Sequence, residues 1–126
     1  MEKIKLKQIL IIDDDNRNIF ALKAVLKSKG YTCLSALEAK DGINMLRSNP
    51  EIGIVLLDMM MPEMDGYEAL PIIKQIADIP VIAVTAQAMV GDREKCLQAG
   101  ASDYVSKPVN VDLLLPILEK HLNNRN

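Results

Sequence analysis

The sequence predicts a doubly wound α/β fold, in which a five-stranded parallel sheet of order 2-1-3-4-5 carries helices on both faces. Three observations carry that prediction. Continuous apolar runs at Ile9-Leu10-Ile11-Ile12, Ile54-Val55-Leu56-Leu57 and Val81-Ile82-Ala83-Val84 have the length and branching of strands buried on both faces. Two shorter and more polar stretches, residues 32–36 and 103–106, suit the two edges of the same sheet. Amphipathic helical patterns fill the gaps, and strict β-α alternation with right-handed crossovers places helices on both sides.

The elements follow in order. After the first strand, Asp13-Asp14-Asp15 leads into a helix over residues 16–29, with Ile19, Leu22 and Leu26 on one stripe and Gly30 as its stop. The second strand, from Thr32 to Ala36, precedes a helix over 39–48 that carries Ile43 and Leu46. Asp58 ends the third strand, and a helix runs from about 66 to 75. Thr85 ends the fourth strand, and a helix over about 91–99 stops at Gly100. The fifth strand, 103–106, leads through Ser106-Lys107-Pro108 to a helix over 111–122, N-capped by Asn110 and faced with Val111, Leu114, Leu115, Leu118 and Leu122. Pro71 and Pro116 fall inside the third and fifth helices, so a lost hydrogen bond or a kink is expected at each. Asp41-Gly42 and Asp65-Gly66 have the composition of hairpin turns, for which a parallel sheet has no use.

At 126 residues the chain is expected to be a single domain, with its core over about 8–122 and a polar tail, 123–126, that frays. Fifteen basic against seventeen acidic residues leave a net charge of −2, which argues against direct binding to nucleic acid or an anionic membrane. The apolar runs are far shorter than the roughly 18 residues of a membrane helix. Lys3, Lys5 and Lys7 alternate with other residues without a secretory pattern, so the expected localisation is cytoplasmic. Cys33 and Cys96 lack any CxxC partner and are read as free thiols. With no Trp and only Phe20, Tyr31, Tyr67 and Tyr104 as aromatics, a base- or flavin-stacking surface is poorly supplied.

In a sheet of this order the ligand crevice lies outside the carboxyl ends of the strands, at the switch between strands 1 and 3. Asp13, Asp14, Asp58, Thr85 and Lys107 all fall on that rim. Two carboxylates about 4 Å apart repel by about 4 kcal/mol at an effective dielectric near 20. Three of them must therefore bind protons or hold a cation. Asp13, Asp14 and Asp58 sum to −3, Lys107 returns +1, and a divalent ion balances the site at zero. All-oxygen ligands with open water positions suit Mg²⁺ or Mn²⁺ rather than zinc.

These residues, with Ile9-Leu10-Ile11-Ile12 before the acids, Met61-Pro62-Glu63-Met64-Asp65-Gly66 after Asp58, Val84-Thr85-Ala86, and Gly100-Ala101-Ser102-Asp103-Tyr104 leading to Lys107-Pro108, resemble the receiver domain of two-component response regulators over nearly the whole chain. The resemblance is to chemotaxis-regulator-like receivers with the flavodoxin-like (βα)5 arrangement, and it implies roles. Asp58 is then the phosphoryl acceptor, taking its group from a phosphohistidine of a sensor histidine kinase or histidine phosphotransfer protein. Asp14 and Asp58 bind Mg²⁺ directly, Asp13 acts mostly through water, and the Met60 carbonyl completes the protein ligands. Lys107, Thr85 and the Ala86 N–H contact the phosphoryl group, and Lys107-Pro108 is the family's cis peptide. Side chains at Met60 and Gln87 flank the attacking water and tune phosphoryl lifetime, with slow to moderate self-hydrolysis expected. Thr85 and Tyr104 form the switch, coupled to an output face on the fourth helix, fifth strand and fifth helix. Such a protein is a phosphoprotein of signal transduction, not an enzyme in the usual sense, that catalyses its own phosphorylation and slow dephosphorylation. No output domain fits in the chain, which reads either as a stand-alone regulator or as a receiver cut from a hybrid kinase or multidomain regulator.

Three rivals share parts of the pattern. A haloacid dehalogenase-like Mg-dependent phosphatase has acids after strand 1, and Asp13-x-Asp15 fits its D-x-D spacing. Arg17 stands where that family has Thr or Val, and the chain leaves no room for a cap insertion. A flavodoxin-like electron carrier wants a hydroxyl- and glycine-rich loop after strand 1, where three acids would repel a phosphate. A non-phosphorylated pseudo-receiver interaction module has no need of Asp13, Asp14, Asp58, Thr85 and Lys107 together. Asp15 reads as a helix cap rather than a ligand, and His121 as a partner for the last helix's dipole rather than a phosphate acceptor. Met59, Met60, Met61 and Met64 read as packing and loop anchoring beside hard acids.

Overall fold

Apolar runs bounded by polar residues become the sheet. In chain order the elements are β1 (Gln8–Ile12), α1 (Asn16–Ser28), β2 (Cys33–Ala36), α2 (Ala39–Ser48), β3 (Ile52–Asp58), α3 (Gly66–Ile76), β4 (Val81–Thr85), α4 (Asp92–Gln98), β5 (Asp103–Ser106) and α5 (Val111–Asn123). The computed structural model describes residues 7–86 and 90–123. Residues 1–6, with Lys3 and Lys5 of the localisation reading, 87–89 with Gln87, and 124–126 of the expected tail lie outside the described residues. All strands pair in parallel in the order β2-β1-β3-β4-β5, as expected.

Both faces of the central strands are covered, which is why their sequences show no polar alternation. Ile9, Ile11, Ile54 and Leu56 pack on one face with Ile19, Leu22 and Leu26 of α1 and Leu114 and Leu118 of α5. Leu10, Ile12, Val55 and Leu57 point to the other face, where α2 supplies Ile43 and Leu46, α3 supplies Leu70 and Ile73, and α4 supplies Cys96. The period of two in β1 and β3 therefore divides one hydrophobic run between two cores.

Caps fix where helices begin. The Asp15 carboxylate accepts the Arg17 N–H at 2.9 Å, which also holds its carboxyl below the usual carboxylate range. Asp65 and Glu68 form a reciprocal capping box at the start of α3, with bonds of 2.9 and 3.1 Å. The Asn110 side chain accepts from Asp112 N–H at 2.9 Å at the start of α5. Gly30 and Gly100 follow the ends of α1 and α4 with φ of 94° and 114°, where a side chain would be strained.

Several bounds differ from those expected. β3 starts at Ile52, because its register with β1 shifts between Gln8 and Ile9 and passes over Gly53, which interrupts the apolar run. β2 begins at Cys33 rather than Thr32, although the Thr32 carbonyl still accepts from Ile9 N–H at 2.9 Å. α4 is shorter than its pattern suggests: Gly91 at φ 94° precedes it without a side-chain cap, and Ala99 follows it. α3 and α5 run through Pro71 and Pro116, so each proline removes one N–H donor without ending its helix. One tyrosine helps to seat α4. The Tyr67 hydroxyl and the buried Cys96 Sγ are 3.6 Å apart, and Lys95 Nζ lies 4.6 Å from the Tyr67 ring centroid.

Both cysteines are free, Cys33 half-buried on the sheet edge and Cys96 buried on the inner side of α4. Burial pushes the Cys33 thiol up to about 11, so little thiolate exists there at neutral pH. Alkylation of the native protein without reductant should be slow at both, and denaturant should release two reactive thiols per chain. An intramolecular Cys33–Cys96 bridge in the native protein would contradict this placement.

Candidate functional site

The carboxyl ends of the central strands meet at one rim. Asp13 follows β1, Asp58 ends β3, Thr85 ends β4, and Lys107 follows β5, where its N–H bonds the Thr85 carbonyl at 2.8 Å. Among the described residues the buried polar or charged side chains are Asp13, Asp58 and Thr85, at 2%, 3% and 4% exposure. Interiors hold such groups only when they are paired, and here the two acids sit at the switch point between β1 and β3 and Thr85 on the neighbouring strand end, rather than scattered through the core.

Each oxygen of the two buried acids has a donor. Asp13 Oδ1 accepts Asp15 N–H at 2.8 Å. Its Oδ2 accepts Asn18 Nδ2 at 2.7 Å and pairs with Lys107 Nζ at 3.1 Å. Asp58 Oδ1 accepts Met60 N–H at 3.0 Å, and Lys107 Nζ lies 3.1 Å from Asp58 Oδ2. One ammonium thus bridges two carboxylates.

Charge in this arrangement is incompletely balanced. Burial raises the Asp58 pKa, and the nearby Asp13 charge adds to it; the Met60 N–H and Lys107 pull the other way without cancelling the rise. Burial pulls the Lys107 ammonium down, but its bonds to Asp58 and Asp13 together outweigh this and raise it. The exposed Asp14 completes the set: one oxygen from each of Asp13, Asp14 and Asp58 lies within 4.8 Å of the others. Three hard oxygen donors so close, with one Lys⁺ among them, fit a divalent ion of the Mg²⁺ type and offer no soft ligand.

The other expected site residues fall on the same rim or beside it. Met60 is 51% exposed next to Asp58, Ala86 is exposed just past Thr85, and the Lys107-Pro108 peptide is cis. Tyr104 lies half-buried on β5, packed against the same core cluster as Cys96, and burial raises its phenol above the ordinary value. Gln87 lies outside the described residues. Asp15 is the cap of α1, engaged with Arg17. His121 Nε2 lies 3.2 Å from Asp103 Oδ2, away from the rim acids. Met59 is fully buried, Met61 nearly so, and Met64 packs on the same core, as packing and loop anchoring require, whereas the exposed Met60 is not part of that core and departs from the expectation.

Asn18 is the contact that motif reading missed. It occupies the third position of α1, from which a polar side chain reaches back past the cap, and here it finds Asp13. The start of the helix after the acid run was the available signal.

Known proteins resemble this chain in sequence and in fold. The chain matches the family model described as response regulator receiver domain over residues 9–119. It is 41% identical over 107 residues to the sensor histidine kinase RcsC of Salmonella typhimurium, covering 84% of this chain and 11% of that protein, so it spans about a tenth of such a relative. A CheY-like response regulator receiver domain protein from Methanospirillum hungatei superposes with a TM-score of 0.86 at 32% identity, covering 94% of this chain and 95% of that one. The receiver domain of the sensor histidine kinase PA1611 from Pseudomonas aeruginosa, whose structure has a magnesium ion coordinated in the active-site cleft, superposes with a TM-score of 0.84 at 32% identity over 95% of this chain and all of that one (100%).

Proposed function

This chain belongs to the response regulator receiver domain family, and from that membership and the rim geometry we propose that it takes a phosphoryl group onto Asp58 from a phosphohistidine of a sensor kinase or phosphotransfer protein. The observation that carries the reading is the pairing of buried Asp58 with both Lys107 Nζ and the Met60 N–H, beside two further acids.

In the proposed step an Asp58 carboxylate oxygen attacks phosphorus, the P–N bond breaks, and the imidazole leaves and takes up a proton from solvent. Such transfers need positioning and charge neutralisation more than acid-base chemistry. The Met60 N–H and Lys107 fix the attacking carboxylate. Lys107 then turns to a phosphoryl oxygen, with the Thr85 hydroxyl and Ala86 N–H as further donors. Asp14, Asp58 and the Met60 carbonyl would hold Mg²⁺ or Mn²⁺ directly and Asp13 through water; the ion supplies the missing positive charge. Asp13 suits an outer role because its oxygens already accept from Asp15, Asn18 and Lys107. Phe20, 76% exposed in the second turn of α1, is placed to touch a macromolecular donor that covers the rim. Met60 shields the acceptor without orienting water, in keeping with slow to moderate self-hydrolysis. We place the protein in the cytoplasm, acting by protein contact; among the described residues no helix is long and apolar enough to cross a membrane.

Acetyl phosphate with Mg²⁺ should add the mass of one phosphate, at Asp58. Label on Asp13 instead would favour phosphatase chemistry and overturn the reading.

The proposed output runs through Thr85 and Tyr104 to α4, β5 and α5. A recess of about 360 Å³ between β5 and α5 is lined by Tyr104, Val105, Pro108, Leu113 and Ile117, and Leu113 is 66% exposed. α4 buries only Cys96 and lacks a capping side chain, so its local stability should be low. Hydrogen exchange with and without beryllofluoride and Mg²⁺ should change most in residues 86–99 and around Tyr104. A change confined to α1 and the loop before it would place the output elsewhere.

A further inference from the structure

We propose that Asn18 is a positioning residue whose amide keeps Asp13 in place when Lys107 leaves it for the phosphoryl group. The inference rests on the phosphoacceptor reading and goes beyond it. At rest Asp13 Oδ2 has two side-chain donors, Asn18 Nδ2 at 2.7 Å and Lys107 Nζ at 3.1 Å, and the same ammonium is 3.1 Å from Asp58 Oδ2. A single ammonium between two carboxylates is drawn toward the group that carries more charge. Once Asp58 holds a phosphoryl group, that group is the dianion, and Asp13 Oδ2 loses its cation. Asp13 is 2% exposed, so bulk solvent has little access to replace the lost ammonium. Without Asn18, Asp13 Oδ2 would then have no protein donor while Oδ1 kept the Asp15 N–H at 2.8 Å, so the carboxylate would rotate, and that change spoils its hold on a metal-bound water.

An asparagine suits this duty better than other residues at the same position. Its amide donates without adding charge, so it leaves the balance of three acids, one lysine and one divalent ion at zero. Having no net charge, it is not pulled toward the phosphoryl group as Lys107 is. A lysine or arginine would overcompensate, and an aspartate would repel Asp13. The anchor is also firm. The Asp15 cap fixes the first turn of α1, and Ile19, the next residue, is buried in the core, so the amide starts from a rigid backbone.

Asn18→Ala in the full chain tests this, since alanine keeps the helix and thermal unfolding reports that the fold is intact. Calorimetry should show Mg²⁺ affinity changed by less than about twofold, because Lys107 still serves Asp13 at rest. Beryllofluoride affinity at saturating Mg²⁺ should fall about tenfold, the scale of lost outer-shell support at a metal site. In a Lys107→Met background, where Asn18 is the remaining side-chain donor, Asn18→Ala should weaken Mg²⁺ itself about tenfold. Equal losses of both ligands in the native background, or no loss of beryllofluoride affinity, would overturn the inference. Failure of the unmodified protein to bind beryllofluoride would instead overturn the phosphoacceptor reading, and the Lys107→Met pair would still decide whether Asn18 holds Asp13.

Discussion

Asp58→Asn should abolish the Mg²⁺-dependent gain of one phosphate and yet leave a metal-free protein at least as stable as the native one at neutral pH. The first effect follows from removing the attacking oxyanion, since a neutral amide can neither attack phosphorus nor ligate the ion as strongly. The second follows from the direction of the Asp58 shift, which burial raises and Lys107 only partly offsets. A carboxyl whose folded pKa is raised takes up its proton more readily in the folded state than in the unfolded chain. Its contribution is therefore fully present below the unfolded value and is lost as pH rises through the folded one. At neutral pH the ionised Asp58 is a net burden on the fold unless a cation joins it. The stability gap between the Asp58→Asn variant and the native protein should accordingly narrow on acidification through the raised Asp58 range, and narrow on adding Mg²⁺, which binds the native protein more tightly. Thermal unfolding in chelator and in Mg²⁺ across that range checks both signs. Retained phosphorylation, or a variant that gains stability in Mg²⁺ as much as the native protein does, would contradict the account.

Much of this arrangement is written plainly in the chain. The three central strands are legible because both faces are buried, so Ile9 to Ile12 and their counterparts are apolar without alternation. The rim is legible because the acids, Thr85 and Lys107 each stand directly after such a run or its edge-strand counterpart. What escaped is non-local or depends on backbone detail. Gly53 hid the start of β3, since a glycine in a strand reads as a boundary unless the register shift that needs it is known. Asn18 carries no motif of its own, and its importance appears only when the turn of α1 brings its amide to Asp13. The short α4 is set by the left-handed Gly91, which a pattern of apolar residues does not report.

Gly66→Ala should cost about 2–3 kcal/mol, the upper part of the range for overpacking, and should slow phosphorylation at Asp58 as well. In sequence, Asp65-Gly66 has the composition of a turn, and in the fold it is a cap followed by a close approach. A Cβ on Gly66 would lie 2.5 Å from Met59 Sδ, 2.6 Å from Met59 Cα and 3.0 Å from the Asp58 carbonyl oxygen. The thioether could swing aside, but the Met59 backbone cannot, because its N–H bonds the Val84 carbonyl at 2.9 Å and its own carbonyl accepts Gly66 N–H at 3.2 Å. Alanine's better helix propensity, about 1 kcal/mol in a helix interior, is too small to offset this and counts for less in a first turn. Any relief must move Met59, and Met59 joins Asp58 to the Met60 N–H that holds its Oδ1 at 3.0 Å. The strain therefore reaches the acceptor carboxylate. Gly30→Ala is the control: φ there is 94°, but no atom lies within 4 Å of the added Cβ. It should cost about 1 kcal/mol of backbone strain and leave the phosphorylation rate unchanged. Denaturant unfolding together with acetyl phosphate kinetics separates the two effects. A Gly66→Ala protein as stable and as fast as the native one would show that the β3-α3 connection yields more easily than its hydrogen bonds imply.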